Sequence, residues 1–262
     1  MIHSNGWYSL ARSELSPNQD NRPDIKNISL LVIHSISLPP DNFDNGYICD
    51  FFKNKLDISL DPYFKKIANL KVSAHLLIDR EGGVIQFVSF NDRAWHAGVS
   101  SYKGLTNCND FSIGIELVGS DTTPYTNAQY ESLIKVTQEI IKRYPLIDKN
   151  RILGHSDIAP SRKKAPGERF PWQDFAKKNI GTWHKCKTSL LKKFRKNRII
   201  KKQDKINFII SLKKIGYCFS PKKKSLFKKT IKAFQMRYRK ELINGIADKE
   251  CLIIAQNVVK NL

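Results

Sequence analysis

The sequence predicts an α/β fold with a mixed central sheet flanked by helices, followed by a small all-α domain of three helices. Three observations predict it. Five short apolar runs bounded by turn residues recur between Ser29 and Gly154, a long amphipathic helix lies among them, and basic charge is concentrated at the C-terminal end.

The runs are Ser29–His34, Ser73–Ile78, Val84–Phe90, Phe111–Val118 and Arg151–Gly154, and each reads as a strand. Asp79-Arg80-Glu81-Gly82-Gly83 separates the second from the third, and its glycines can take positive φ, so that pair reads as a hairpin. A helix is predicted over Tyr47–Lys55. The clearest helix opens at Thr126, because Thr126 and Gln129 have the spacing that lets two side chains satisfy orphan backbone N–H groups. Tyr130, Leu133, Ile134, Val136, Ile140 and Ile141 follow at roughly helical spacing, and Pro145 ends the run. A short helix is expected after Pro171. Helices interleaved with strands and a hairpin favour a mixed sheet over a purely parallel one.

Residues 1–180 hold 22 Lys+Arg against 20 Asp+Glu, whereas residues 181–262 hold 23 against 4. The chain accordingly divides into a near-neutral domain over residues 1–181, a basic linker or exposed helix over 182–205, and a helical domain over 206–262. In the last, Ile206, Ile209, Ile210 and Leu212 lead to Gly216 as a helix stop. Phe227, Ile231, Phe234 and Tyr238 then form one apolar face, and Asp248 caps a third helix carrying Leu252, Ile253, Ala255 and Val259.

A net charge of +21 either seeks a polyanion or paints a solvated surface. No zinc finger or other nucleic-acid signature accompanies it, so nucleic acid is not an expected partner. Hydrophobic residues at 41% and charged residues at 26% exclude a disordered chain. No run approaches the roughly 18 apolar residues of a membrane span, and the first thirty residues lack the basic start and apolar stretch of an export signal. That absence favours the cytoplasm, with the periplasm as the alternative. The five cysteines are scattered and form no CxxC pair, which excludes a disulfide framework.

Several residues can carry chemistry. His34 and His155 each close a strand-like run beside polar loop sequence, a placement that suits either a zinc ion or a plain hydrogen bond at a strand terminus. Glu116 interrupts an apolar run, on the same face as Ser112 and Gly114; it is a general base or half of a structural ion pair. Gly154–Gly167 packs His155, Asp157, Arg162 and Lys163 between two prolines, where a cation either steadies an oxyanion or is solvated. In Arg93–Gly98, Trp95 offers a flat apolar face and Arg93 a two-pronged grip on a carboxylate beside His96, as a sugar and peptide pocket would require; Trp95 equally suits the core.

Taken together, the segments LLVIHS, VSAHLLIDREGGVIQFVSFNDRAWHAGVSSYKG, NCNDFSIGIELVGSD, YTNAQYESL and GHSDIAPSRKKAPG resemble the zinc-dependent N-acetylmuramoyl-L-alanine amidases of the AmpD and AmiD type, over about residues 28–175. ISLKKIGY and AFQMRYRKELINGIAD are similar to the three-helix peptidoglycan-binding module of the AmiD-like branch. The resemblance implies hydrolysis of the amide between muramic acid, or its 1,6-anhydro form, and L-alanine of a stem peptide. Peptidoglycan or anhydromuropeptide would be the substrate, and zinc the cofactor. It makes His34 and His155 zinc ligands, Glu116 the general base, Lys163 the cation facing the tetrahedral intermediate, and Trp95, His96 and Arg162 pocket-lining residues. The third ligand should be an aspartate ten residues after His155, and Ala165 stands there. The departure predicts impaired turnover, with non-catalytic binding of muropeptides as the alternative.

Overall fold

The computed structural model describes residues 1–43, 45–197, 199 and 201–262. Its strands are β1 (Arg12–Ser13), β2 (Gln19–Asp20), β3 (Leu30–Ile36), β4 (Leu76–Ile78), β5 (Val84–Gln86), β6 (Arg93–Ala94), β7 (Ser101–Tyr102), β8 (Leu105–Thr106), β9 (Ser112–Val118) and β10 (Ile152–Gly154). Its helices are α1 (Tyr47–Phe52), α2 (Pro62–Ile67), α3 (Asn127–Arg143), α4 (His155–Ile158), α5 (Trp172–Lys177), α6 (Thr188–Phe194), α7 (Lys202–Ile215), α8 (Lys224–Tyr238) and α9 (Lys249–Lys260).

The central sheet has the order β1-β5-β4-β9-β3-β10. All its pairs are parallel except the predicted β4–β5 hairpin, so the expected mixed sheet is present. Asp79 closes that hairpin by accepting from the Glu81 and Gly83 N–H groups, and Gly82 takes φ +84°. α3 starts with both hydrogen bonds of its capping box in place. α1 stops earlier than Lys55, because Asn54 turns left-handed (φ 59°) and Lys55 N–H returns to Asp50 O, a terminus that frees the chain from the helix.

Strand alternation divides the sheet into two faces. Leu31 and Ile33 on β3 and Ile113, Ile115 and Leu117 on β9 meet Leu133, Val136 and Ile140 of α3, with Trp172 and Phe175 of α5. Burying each such side chain stabilises the fold by about 1.5–3 kcal/mol. The other face packs Leu77, Ile85 and Val118 against Ile48, Phe52 and Phe64 of α1 and α2. In the centre of that second face, His34 and Glu116 take the places of apolar residues.

The C-terminal helices build their own core from Phe208, Leu212, Phe234, Tyr238, Leu252 and Ile254. This core reaches further back than the expected start at residue 206. α6 buries Leu191 in it, and Trp183 packs against both the sheet core and the helical core. Much of 182–205 is thus docked rather than free; Arg198 and Ile200 of that stretch lie outside the described residues. Gln235 shows why the AFQ helix precedes the Asn244–Asp248 turn: its amide oxygen accepts from Asn244 and Gly245 N–H, and its amide nitrogen donates to Ile246 O. Among the described residues no helix is long and apolar enough to cross a membrane, and the five cysteines are unpaired.

Candidate active site

The register of two parallel strands places the first pair of functional groups. His34 on β3 sits opposite Glu116 on β9, and because side chains alternate, both project to the same face. Gly114, one step back on that face, leaves room for the His96 ring; a Cβ there would fall 2.4 Å from His96 Cγ. β10 runs beside β3 and delivers His155 into α4, next to His34. Three imidazoles thereby converge, with His34 Nδ1 2.8 Å from His155 Nδ1 and His34 Nε2 2.9 Å from His96 Nδ1.

Hydrogen-bond directions assign the protons on these rings. Ser112 Oγ donates its one proton to Cys108 O, so His96 Nε2, 3.2 Å away, donates to Ser112 Oγ. His96 Nδ1 is then an acceptor, and His34 Nε2–H donates to it. His34 Nδ1 is left with a bare lone pair aimed at His155 Nδ1. When His155 donates its Nε2–H to Ala97 O, 3.1 Å away, both Nδ1 atoms are unprotonated, as ligands to a cation must be. When the proton sits on His155 Nδ1, the two rings share a hydrogen bond. Burial holds all three rings well below the usual histidine pKa, with the Lys163 and Arg162 charges adding to the effect on His34 and His155; His96 is pushed down to about 3.

Glu116 completes the cluster. Its Oε1 is 3.6 Å from His34 Nδ1, and its Oε2 is buried without a hydrogen-bond partner. Burial raises its pKa to about 8 against the opposing pull of the Lys163 ammonium. A cavity of about 550 Å³ opens over these groups, a size that suits a small ligand. Glu116, His96, His155, Lys163 and Trp95 line it together with an apolar wall that includes Tyr63, Ile67 and Leu70.

Ala165 also lines the cavity and is itself buried. Ser156 N–H donates to Ala165 O, and Tyr125 OH donates to the neighbouring Pro166 O, so the segment is held against the His155 turn. Its methyl group offers no donor to a metal. Among the described residues no three His, Cys, Asp or Glu side chains are set to hold a metal ion. A catalytic zinc site takes three protein ligands and one open position. The two imidazoles suit zinc, but the set as a whole does not fit that centre.

The structure brings His34, His96, Glu116, His155, Lys163 and Trp95 together and leaves two expected pocket residues, Arg93 and Arg162, out of the cavity wall. Arg93 does not line the cavity; its guanidinium is divided between Asp20, at 2.5 and 2.6 Å, and Asp110, at 2.5 Å. Arg162 does not line the cavity either; it donates to Val99 O and Ala97 O, and its Nη2 lies 3.3 Å from His155 Nε2. Both long cations satisfy carboxylates or carbonyls of their own domain first. His96, expected as a wall of the pocket, is also the ring that sets the His34 tautomer. Sequence reasoning passed over His75, whose Nδ1 accepts from Gly114 N–H while its Nε2 lies 2.9 Å from buried Arg22. A histidine inside the apolar run SAHLLI was the signal available.

Comparison with known proteins decides the family. Residues 24–168 match Amidase_2, N-acetylmuramoyl-L-alanine amidase. The chain belongs to the N-acetylmuramoyl-L-alanine amidase family. Among its relatives, the 1,6-anhydro-N-acetylmuramyl-L-alanine amidase AmpD of Haemophilus influenzae is 56% identical over 170 residues, which are 65% of this chain and 92% of that protein. The N-acetylmuramoyl-L-alanine amidase AmiD of Escherichia coli is 33% identical over 256 residues, 89% of this chain and 83% of its own. A structure of that amidase, bound to anhydro-N-acetylmuramic acid-L-Ala-D-gamma-Glu-L-Lys, superposes with a TM-score of 0.69 at 28% identity, covering 99% of this chain and 97% of the other. The amidase likeness therefore extends through the C-terminal helices.

Proposed function

We propose that this chain is an amidase of the anhydromuropeptide type, cleaving the bond between the muramic acid lactyl group and L-alanine, with turnover held low by Ala165. The observation that carries the reading is Glu116: a buried carboxylate with one oxygen unpartnered, beside two imidazoles and Lys163 on the floor of the cavity. A general base is most effective when its pKa lies near the working pH, and burial brings Glu116 there.

The residues divide the reaction among them. Glu116 takes a proton from the attacking water and passes it to the departing L-alanine nitrogen. Lys163 faces the negative charge that gathers on the carbonyl oxygen. Trp95 and the apolar wall limit the water that reaches a substrate in the cavity. A zinc ion held by His34 and His155 alone lacks an anionic ligand and is expected to bind weakly.

Ala165 also supports a second reading, a muropeptide-binding protein without turnover. Mass spectrometry of a defined anhydromuropeptide incubated with the native chain and with Ala165→Asp separates the two. The proposal expects free peptide and sugar from both, at least about 100-fold faster from the variant. No released peptide from the native chain, with the muropeptide retained by it in equilibrium dialysis, establishes the second reading, whether or not Ala165→Asp cleaves.

A further inference from the structure

We propose that the C-terminal helical module sets the position of His155: Arg237 and Tyr217 are positioning residues that hold the His155 turn through the carboxylate of Asp157. This rests on the reading of His155 as a residue of the active site.

Asp157 is the third residue of α4, which Gly154 caps, and its side chain is only 5% exposed. Its Oδ2 accepts from Gly154 N–H at 2.8 Å, which fixes the backbone on the near side of His155. Both oxygens also accept from the module. Tyr217 OH donates to Oδ1 at 2.6 Å, and Arg237 Nη1 donates to Oδ2 at 2.6 Å. The second arm of Arg237 donates to Ile152 O, in the strand that leads into His155. One guanidinium therefore grips the chain on both sides of the histidine. Trp172 braces it from behind, with its ring centroid 4.1 Å from Arg237 Cζ.

The loop that carries Tyr217 is itself seated on the amidase domain. Lys103 N–H donates to Gly216 O, and Gly216, at φ +127°, lies so close to Tyr102 that a Cβ would fall 2.1 Å from its ring. The same turn is tied to Ala165 in the cavity wall, because Ser156 N–H, next to His155, donates to Ala165 O. Lys229 Nζ adds a bond to Ser161 O on the loop between them.

A buried ion pair adds little net stability compared with apolar packing of the same volume, because both charges are stripped of water. Its directional bonds fix geometry instead. Trp183 packs against both cores and Lys240 Nζ donates to Phe170 O, so the module has contacts with the amidase domain away from this cluster, whereas the Asp157 cluster sits where a small rotation would carry His155 Nδ1 off the 2.8 Å approach to His34.

The test uses the full chain carrying Ala165→Asp, labelled with nitrogen-15, with Tyr217→Phe or Arg237→Lys added. Tyr217→Phe removes one hydrogen bond and keeps the ring, so it carries the test even if Arg237→Lys fails to fold. Imidazole two-bond correlation spectra report ring tautomer and surroundings, with His3 and His75 as references. The His155 signals are expected to shift while the references stay, and kcat to fall about tenfold with KM unchanged. Folded variants with unmoved His155 signals and parental kcat overturn the proposal. Shifted His155 signals in a parent that cleaves no muropeptide sustain the brace and remove the amidase reading alone.

Discussion

His34 and Glu116 face each other across neighbouring parallel strands, with His34 Nδ1 3.6 Å from Glu116 Oε1. The pair puts a carboxyl group whose pKa burial raises to about 8 beside an imidazole with a bare nitrogen, under the cavity that Glu116 lines.

Glu116→Gln is expected to reduce turnover by about 10²–10⁴-fold, measured by peptide release in the Ala165→Asp background. It should also alter the pH dependence of folding. The folded pKa of about 8 lies above the ordinary glutamate value of 4.5, so the folded state holds this proton more tightly. The resulting stability is complete below pH 4.5 and is lost as pH rises through 8. Between pH 5 and 9 the native chain should lose on the order of 4 kcal/mol more than Glu116→Gln in urea unfolding. Parallel pH profiles would remove the burial argument.

Ala165→Asp should raise zinc affinity, since an anionic third ligand joins two imidazole nitrogens 2.8 Å apart. Equilibrium dialysis with metal analysis reads the change directly. About one zinc per chain is expected for the variant at concentrations where the native chain holds little; equal occupancy would mean that the third ligand belongs elsewhere.

Gly114→Ala inserts a methyl group into the His96 ring. Overpacking of this kind costs about 1–3 kcal/mol, and the displaced ring releases its hydrogen bond to His34. Urea unfolding gives the first effect and imidazole spectra the second. A variant with native stability would show that the ring can shift without loss.

Arg239→Met leaves Asp248 and Glu250 buried without the cation that both approach, at 2.6 and 3.1 Å. Removing one partner of a buried pair costs about 3–5 kcal/mol; Arg195, still bonded to Glu250, places the loss toward the low end. Thermal unfolding followed by circular dichroism should show it.

The alternation of strands and helices, the hairpin, the capped helix at Thr126 and the segments from which the site is drawn were all legible in the chain before it folds. These features depend on local spacing, and spacing is written in the chain. Alternation also put Ser112, Gly114 and Glu116 on one face before any partner was known. It could not show that Arg93 and Arg162 are occupied elsewhere, because a long cation bonds whatever acceptors the fold brings near. Nor could it show that His96 orients His34, that docked α6 shortens the supposed linker, or that Arg237 reaches across 80 residues to Asp157. Those relations are set by strand order and by the seating of one domain on another, and such contacts leave no periodic trace in either partner's own sequence.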